Sequence, residues 1–457
     1  MAGLSKLVVA FALAVAAAAP PLTDQVVRAE VDHLLAAIAA ARHLTYHGTL
    51  PMRVVDREEA ARETARQDNL ADADPSSRGD VEILRRLGLA SGTRTDEAAE
   101  RDDNEPMAPR FDAVSGHLSV PGFVPLENQR IALAHQVAHA VADQRFSLRR
   151  LMEIAPDGRS RLTADARRAR LALVEGDAML TGLEVLDPRE TFLGPPELAA
   201  LVERLRMAAA PEGITLWGSA LAGFTHVDGL LFVARARVHR PWSAVDALWT
   251  DPPSSTEQIL HPEKYESCEA AVAVDPSSLP ALPGLGRPVA SDVVGELAIR
   301  TWLTSAWNAE VAARAAAGWG GDRAGVYERP AGEADAGAPP RSTALAWMTV
   351  WDDPAEADDF AHAARRVLQR KAEKTAAEAP AEQALPEGVI FTSVKGLYGL
   401  ARRGDAVALL IAAPEGSEPA LEAMLATRPE PSRRGASRPR PSAPPGCRRR
   451  DRAGGSG

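Results

Sequence analysis

The chain has 457 residues, of which 46% are hydrophobic and 25% charged, an ordinary composition for a folded protein long enough for two domains. Its formal net charge of −10 at pH 7 argues against nucleic acid as the partner. Aromatic residues make up only 5% of the chain. Alanine and arginine are used heavily, so helices should dominate the fold.

The first 22 residues predict a secretory signal peptide. Lys6 precedes an apolar run from Leu7 to Val15, and small residues then lead to Pro20 and Pro21. The apolar run is short for a membrane span. We therefore expect an exported protein, periplasmic or extracellular, with no transmembrane span after signal removal. A buried N-terminal helix is the alternative.

Residues 23–284 predict a helical domain. A short strand or hairpin is expected at 111–123, where turn residues precede an alternating run. Ser255 and Gln258 have the spacing of a helix capping box. Apolar residues recur at helical spacing in this domain and just beyond it, over 24–42, 80–90, 126–150, 163–186, 196–209, 226–238, 243–250 and 291–317.

Residues 285–416 predict a smaller α+β domain. "AGVYE", "STALAWMTVWD", "GVIFTSVKG" and "AVALLIAAP" are typical of strands, and one helix at 354–376 separates the second from the third. We expect an antiparallel sheet with helices on one face. Residues 417–457 form a basic Pro/Arg-rich segment, which predicts a disordered tail. The fold class is therefore mainly α with an α+β C-terminal part.

Two histidines lie four residues apart in "IALAHQVAHAVADQRFSLRRL", residues 131–151. On a helix His135 and His139 share one face, so both imidazoles can bind one ion. Ten histidines in 457 residues produce about 0.2 such pairs by chance, so the spacing alone is weak. His43 and His47 have the same spacing, but Gly48 ends any helix there. That second pair is not expected to bind metal.

A glutamate in a second helical run could complete a metal site. "RRARLALVEGDAMLTG" places Glu175 among apolar neighbours, where a carboxylate is costly to bury unless it is paired or binds a cation. Two histidines and a glutamate are the ligands of one large zincin class, with water as fourth ligand. Asp177 is a candidate acceptor for a ligand imidazole. The alternative is a helix with two incidental histidines and a surface glutamate.

The segment "LAHQVAHAVADQRFSL", residues 133–148, resembles a group of bacterial exported or envelope proteins. Their pattern runs approximately Leu-x-His-Glu-x-x-His-Ala-Leu-x-Asp-Gln-His-Phe-Asp-Leu. Further motifs of the group are similar to "LVEGDA", "STEQILHPEKY" and "AAGWGGDRAGVYE". The resemblance therefore extends from about residue 110 to residue 330, with weaker similarity to residue 415. The group is regarded as gluzincin-like metallopeptidases. The resemblance implies a zinc site held by His135, His139 and Glu175.

The chain departs from this pattern at three positions. Gln136 stands where the group has its general-base glutamate, Arg145 where it has a histidine, and Ser147 where it has an aspartate. Glutamine can hydrogen-bond the reacting water but cannot carry its proton, a task worth roughly 10²–10⁴ in rate. Zinc alone still lowers the pKa of bound water to about 7. The sequence predicts strong attenuation rather than complete loss of hydrolysis.

Other polar residues have weaker assignments. His261 and Tyr265 of "HPEKY" could donate hydrogen bonds to the oxyanion of a tetrahedral intermediate. A loop histidine and a packing tyrosine are the alternative. His226 and His239 bracket an apolar helix and have no evident partner in the sequence.

Three functions remain open from the sequence. The first is an exported gluzincin-like zinc protein, a pseudoenzyme that is inactive or weakly active and binds a peptide or protein in the old cleft. The second is a working zinc metallopeptidase or hydrolase that takes its base from elsewhere, for example Asp177. The third is a structural envelope protein without metal. Zinc content separates the third from the others, and turnover separates the first two.

Overall fold

The structure, a computed structural model, describes most of the chain in seven segments. These are residues 22–63, 75–90, 108–156, 159–186, 215–328, 343–375 and 380–428. The predicted signal peptide, the helix predicted at 196–209 and the Pro/Arg-rich segment after 428 lie outside the described residues. Those three predictions therefore stay predictions.

The chain forms two compact units. The described residues of the first are 22–63, 108–156, 159–162, 167–186 and 215–253. Those of the second are 75–90, 163–166, 254–328, 343–375 and 380–428. The expected fold class is confirmed, because the first unit is mainly helical and the second is built on an antiparallel sheet.

Helices make up most of the first unit. Helix α1 begins after Thr23, whose hydroxyl accepts a hydrogen bond from the N–H of Val26, and ends at Arg42, before His43 in the left-handed region. Its apolar stripe packs into the core that also holds the middle of α3. The helices, in chain order, are α1 (Asp24–Arg42), α3 (Leu126–Phe146), α4 (Leu148–Leu151), α5 (Ala164–Leu186), α6 (Leu216–Ala222), α7 (Gly229–Arg237) and α8 (Ser243–Thr250).

A three-stranded sheet accompanies these helices. Its order is β1 (Met52–Val55), β3 (His117–Pro121) and β2 (Arg110–Asp112), with β1 parallel and β2 antiparallel to β3. The hairpin predicted upstream of the histidine helix is thus confirmed as β2 and β3. Strand β1 was not predicted, because four residues are too few to establish an alternating pattern.

A continuous helical segment runs from Leu216 to Arg237. It consists of α6, a six-residue π-helical turn at Gly223–Asp228, and α7. By length and composition it is the one described helix that could cross a membrane, but 56% of its most apolar window is buried inside the protein. The core helix of a folded protein has the same combination of apolar composition and burial.

The second unit is organised around a seven-stranded antiparallel sheet of order β4-β5-β6-β10-β9-β8-β7. The strands are β4 (Ala290–Asp292), β5 (Trp319–Glu328), β6 (Thr343–Trp351), β7 (Ala381–Leu385), β8 (Gly388–Ser393), β9 (Gly396–Arg403) and β10 (Ala406–Ala413). The helices are α2 (Pro75–Leu87), α9 (Thr256–Leu260), α10 (Pro262–Glu266), α11 (Gly295–Leu303), α12 (Ala309–Ala316), α13 (Pro354–Thr375) and α14 (Pro419–Ala426).

Both faces of this sheet are covered, so the expectation of helices on one face is wrong. On one face, Trp347 of β6 meets Trp302 of α11 at 5.5 Å and Phe360 of α13 at 6.1 Å between ring centroids. On the other face, the alternate residues of β6 and β10 share a core with Leu421 and Met424 of α14. Two covered faces explain why the central strands are almost continuously apolar.

Two sequence boundaries need correction. The helix predicted at 291–317 is two helices, α11 and α12, and Asn308 caps the second by accepting from the N–H of Val311 at 2.9 Å. Residues 417–428, predicted as the beginning of a disordered tail, instead contain the ordered helix α14, which buries Leu421, Met424 and Leu425. The sequence did not predict α14, because this short helix directly precedes a Pro/Arg-rich segment whose composition indicates disorder.

Candidate metal centre

Three predicted metal ligands converge in the first unit. His135 and His139 lie one turn apart on α3, and Glu175 lies on α5. The Nε2 atom of His135 is 2.9 Å from Oε2 of Glu175 and 2.9 Å from Nε2 of His139. Nε2 of His139 is 3.5 Å from the same carboxylate oxygen. The chain therefore brings two imidazole nitrogens and one carboxylate oxygen to one point.

These donor atoms fit a small divalent cation. All three lie within 4.8 Å of one another. A tetrahedral ion with bonds of about 2.0–2.1 Å needs ligand atoms about 3.3 Å apart, and the observed separations of 2.9, 2.9 and 3.5 Å bracket this distance. Two imidazoles and a carboxylate are a donor set that suits zinc and neighbouring transition metals.

The electrostatics favour the metal-binding forms of His135 and Glu175. Burial lowers the pKa of His135, and the adjacent His139 lowers it further, against the hydrogen bond to Glu175. For Glu175, burial alone would raise the pKa, but the charge of His139 and hydrogen bonds from both histidines hold it well below its ordinary value. Near neutral pH His135 is therefore neutral and Glu175 ionised, as metal coordination requires.

Gln136 is tied to the neighbouring strand. Its Oε1 accepts a hydrogen bond from the N–H of Phe111 in β2 at 2.8 Å. Strand β2 is an edge of its sheet, and this N–H points away from its partner strand β3. The amide at position 136 therefore satisfies an outward-facing backbone donor, which gives it a structural role that the sequence did not suggest.

Asp177 does not contact a ligand imidazole, which corrects its predicted role. Its Oδ2 accepts from the indole N–H of Trp249 at 2.6 Å, and its Oδ1 accepts from the guanidinium of Arg42 and the hydroxyl of Thr181. Arg42 also donates to Asp246 at 2.9 Å. The aspartate thus anchors α5 to α1 and α8, two residues after Glu175. It is no candidate for the missing general base, because both its oxygens are already engaged.

A third histidine, His226, lies next to this cluster, although the sequence did not predict it. Nε2 of His226, in the π-helical turn before α7, is 3.6 Å from Oε2 of Glu175. Its ring centroid is 6.4 Å from that of His135. No sequence spacing links this residue to the HQVAH pair. The only hint is that a glycine follows both Glu175 and His226 within one turn.

The histidines at 43 and 47 do not share a helix. His43 terminates α1 with φ of 53°, so no helix continues through His47. The backbone of His47 exchanges hydrogen bonds with the side chain of Gln144 at 2.7 and 3.0 Å. Neither histidine belongs to the potential ligand groups found among the described residues.

A second acidic group lies in the other unit and already holds a cation. Glu257, Glu269 and Asp352 bring carboxylate oxygens within 4.8 Å of one another. The ammonium of Lys264 lies 2.5 Å from Glu257, 2.5 Å from Asp352 and 3.1 Å from Glu269. Burial raises the pKa of Glu257 to about 8. A metal ion would have to displace a lysine that fills the group, so this cluster is a structural ion-pair network.

The predicted oxyanion donors belong to the second unit. Nε2 of His261 is 2.9 Å from Oε1 of the buried Glu296, and this hydrogen bond raises the pKa of His261. Tyr265 is half-buried on the short helix α10. The "STEQILHPEKY" segment thus forms part of the ion-pair network of its own unit, and no described contact assigns an oxyanion role to either residue.

The "GWGGDR" segment is also structural. Asp322 is buried and accepts hydrogen bonds from the backbone N–H groups of Val294 and Gly295 and from the indole of Trp319, at 2.8, 2.9 and 2.9 Å. It therefore caps the start of α11 from strand β5. Burial raises its pKa to about 6 despite these donors. A Cβ at Gly321 would lie 2.2 Å from the carbonyl oxygen of Val272, so only glycine fits there.

Comparison with known proteins yields one family match. Residues 283–422 match the family described as a domain of unknown function, DUF8575. This range covers most of the second unit and contains none of His135, His139 and Glu175. No curated protein and no solved structure matches the chain. The comparisons therefore support a shared C-terminal domain and carry no information about the metal centre.

Proposed function

We propose that this chain is an exported zinc-binding protein that derives from a metallopeptidase and has lost most or all of its hydrolytic activity. The observation that carries the proposal is the convergence of His135, His139 and Glu175 on one point. A zinc ion, when bound, would supply Lewis acidity and acidify coordinated water. Zinc is the proposed metal because both the donor set and the resemblance to gluzincins point to it.

The loss of activity follows from the residue at position 136. Glutamine presents an amide that neither accepts nor releases a proton at neutral pH, and its oxygen accepts a hydrogen bond from Phe111. Asp177, the alternative base considered from the sequence, is engaged by Arg42, Thr181 and Trp249. With the ligands kept and neither Gln136 nor Asp177 able to carry a proton, the remaining task is binding a peptide or protein partner in the former cleft.

Metal content tests the core of this proposal. Protein purified without chelator, or soaked in zinc and desalted, should contain about one zinc per chain by elemental analysis. His139→Ala should lose most of the metal because it removes one of three converging donors. His43→Ala should retain the metal. It is the matched control, because His43 and His47 have the spacing of His135 and His139 but do not share a helix. The absence of stoichiometric zinc from the wild-type protein would disprove the metal site.

Export is tested separately. The apolar run and the small residues before Pro20 predict cleavage by a signal peptidase. Intact-mass analysis of the protein recovered from its native compartment should therefore find an N-terminus between about Ala17 and Asp24. A soluble cytoplasmic pool that starts at Met1 or Ala2 would contradict export while leaving the metal site untouched.

A further inference from the structure

The environment of His226 accommodates the tautomer that a metal ligand needs. Its Nδ1 is 3.1 Å from the carbonyl oxygen of Ala222, four residues earlier, and 3.0 Å from the hydroxyl of Thr225. A carbonyl oxygen only accepts hydrogen bonds and a hydroxyl can accept as well as donate, so a proton on Nδ1 satisfies both neighbours and leaves the lone pair on Nε2. Nε2 is the atom that faces Glu175, at 3.6 Å from Oε2. Histidine ligands in metal sites are commonly oriented by such a bond from the other ring nitrogen.

The backbone is built to bring this histidine close to Glu175. A Cβ on Gly176 would lie 2.2 Å from the carbonyl oxygen of Gly229, and a Cβ on Gly229 would lie 2.2 Å from that of Ala172. Helices α5 and α7 therefore cross with their backbones in direct contact, which only glycine permits. Gly176 follows Glu175 directly, and Gly229 lies three residues after His226, just beyond the π-helical turn.

The helix that carries His226 is locally irregular. Residues Gly223–Asp228 form a π-helical turn between the α-helical segments α6 and α7. A π-turn inserts an extra residue and re-aims the side chains that follow, and such turns occur often at functional sites. The side chain of His226 is 42% exposed, so the ring has room to move without displacing packed neighbours.

We propose that His226 is a fourth protein ligand, so that three imidazoles and one carboxylate hold the metal. The inference rests on the metal site proposed above. Its 3.6 Å separation from Glu175 matches the edge of a tetrahedral ligand shell, about 3.3 Å. Two imidazoles on one such ion have centroids about 5 Å apart. The centroids of His135 and His226 are 6.4 Å apart, and His226 lies outside the group of donor atoms within 4.8 Å of one another, so its exposed ring must close by at least about 1.5 Å to join a tetrahedral shell.

A fourth protein ligand would change the character of the site. Zinc sites with four protein ligands are closed and structural, whereas catalytic sites keep one position for water or substrate. A closed shell agrees with a glutamine at position 136, because no reacting water would need a base. The metal would then fasten α3, α5 and the π-helical turn before α7 at one point.

The number of imidazoles bound to zinc tests this proposal directly. X-ray absorption at the zinc edge of the full-length protein should show three imidazoles and one carboxylate in the wild type. His226→Ala should show two imidazoles and bind zinc more than about 10²-fold less tightly in a chelator competition, beyond the cost of losing an outer-shell partner. His239→Ala removes an exposed histidine two residues after the end of α7 and should change neither value.

Each failure has its own signature. If the wild type shows two imidazoles and His226→Ala binds zinc with unchanged affinity, the proposal that His226 is a ligand is overturned. The proposed site of His135, His139 and Glu175 would remain. Zinc binding that is indifferent to His135→Ala would overturn the metal site itself. The wild-type imidazole count needs no substitution, so an unfolded His226→Ala variant would not block the test.

Discussion

Gln136→Glu in a His226→Ala background should raise hydrolysis of a general peptide substrate by roughly 10²–10⁴-fold over His226→Ala alone, at saturating zinc. The glutamate supplies a proton carrier with almost no change in volume. One carboxylate oxygen can keep the hydrogen bond from Phe111, which leaves the other for the reacting water. Removing the imidazole of His226 opens the position that this water needs.

The wild type, the two single variants and the double variant have different expected activities. The wild type and Gln136→Glu alone should both be nearly inactive, because the shell stays closed. His226→Ala alone should be weak, because no group accepts the proton. Zinc content at saturation should be equal in all four, measured on the same samples.

Two controls complete the experiment. Adding His135→Ala to the active double variant should abolish its turnover, because a ligand is lost. Asn128→Asp introduces the same charge at an exposed position on α3 and should leave activity unchanged in the His226→Ala background. Together they separate a base at position 136 from a general effect of negative charge on the helix.

Three outcomes would contradict the interpretation. A full gain from Gln136→Glu alone would mean that the fourth position is already open and that His226 is no ligand. Robust wild-type turnover that neither substitution improves would place the base elsewhere, which is the second function left open by the sequence. A zinc-loaded double variant without activity would mean that the cleft has lost its substrate contacts, with Arg145 and Ser147 as the residues that depart from the group's pattern.

The fold could be predicted wherever an apolar pattern was long enough to show its period. Helices α1 and α8 match their expected bounds, and α13 matches within one residue. Strand β7 was missed because it is exposed and polar, and β9 because Gly396 and Gly399 break its apolar run. Helix α14 was missed because its eight residues adjoin a Pro/Arg-rich segment.

The candidate site was only partly predictable, for a physical reason. His135, His139 and Glu175 are linked by helical spacing and by a motif, and both are local properties of the chain. The approach of His226 depends on two glycines in different helices whose backbones touch, and no local pattern encodes such a crossing. The bond between Gln136 and Phe111 depends on strand packing in the same way.

The buried network behind Glu175 should be the most sensitive point of the first unit to substitution. Arg42 is 2% exposed and Asp177 1% exposed. The guanidinium donates to Asp177, to Thr181 at 3.0 Å and to Asp246, and it lies 4.2 Å from the centre of the Trp242 ring. A buried pair of this kind is costly to break from one side, because the remaining charge stays buried without compensation.

Arg42→Met should therefore lower the free energy of unfolding of the first unit by about 3–5 kcal/mol, measured by urea unfolding of the chelator-treated protein. Arg130→Met is the matched control, because Arg130 bridges α3 to Glu30 of α1 but is 49% exposed, and exposed pairs contribute less than about 1 kcal/mol. The double variant Arg42→Met/Asp177→Leu should lose much less than the sum of the single changes, since it removes both charges together. A loss below about 1 kcal/mol for Arg42→Met would show that Thr181, Trp249 and solvent already compensate Asp177, and the ion pair would then not be what anchors the helix of Glu175.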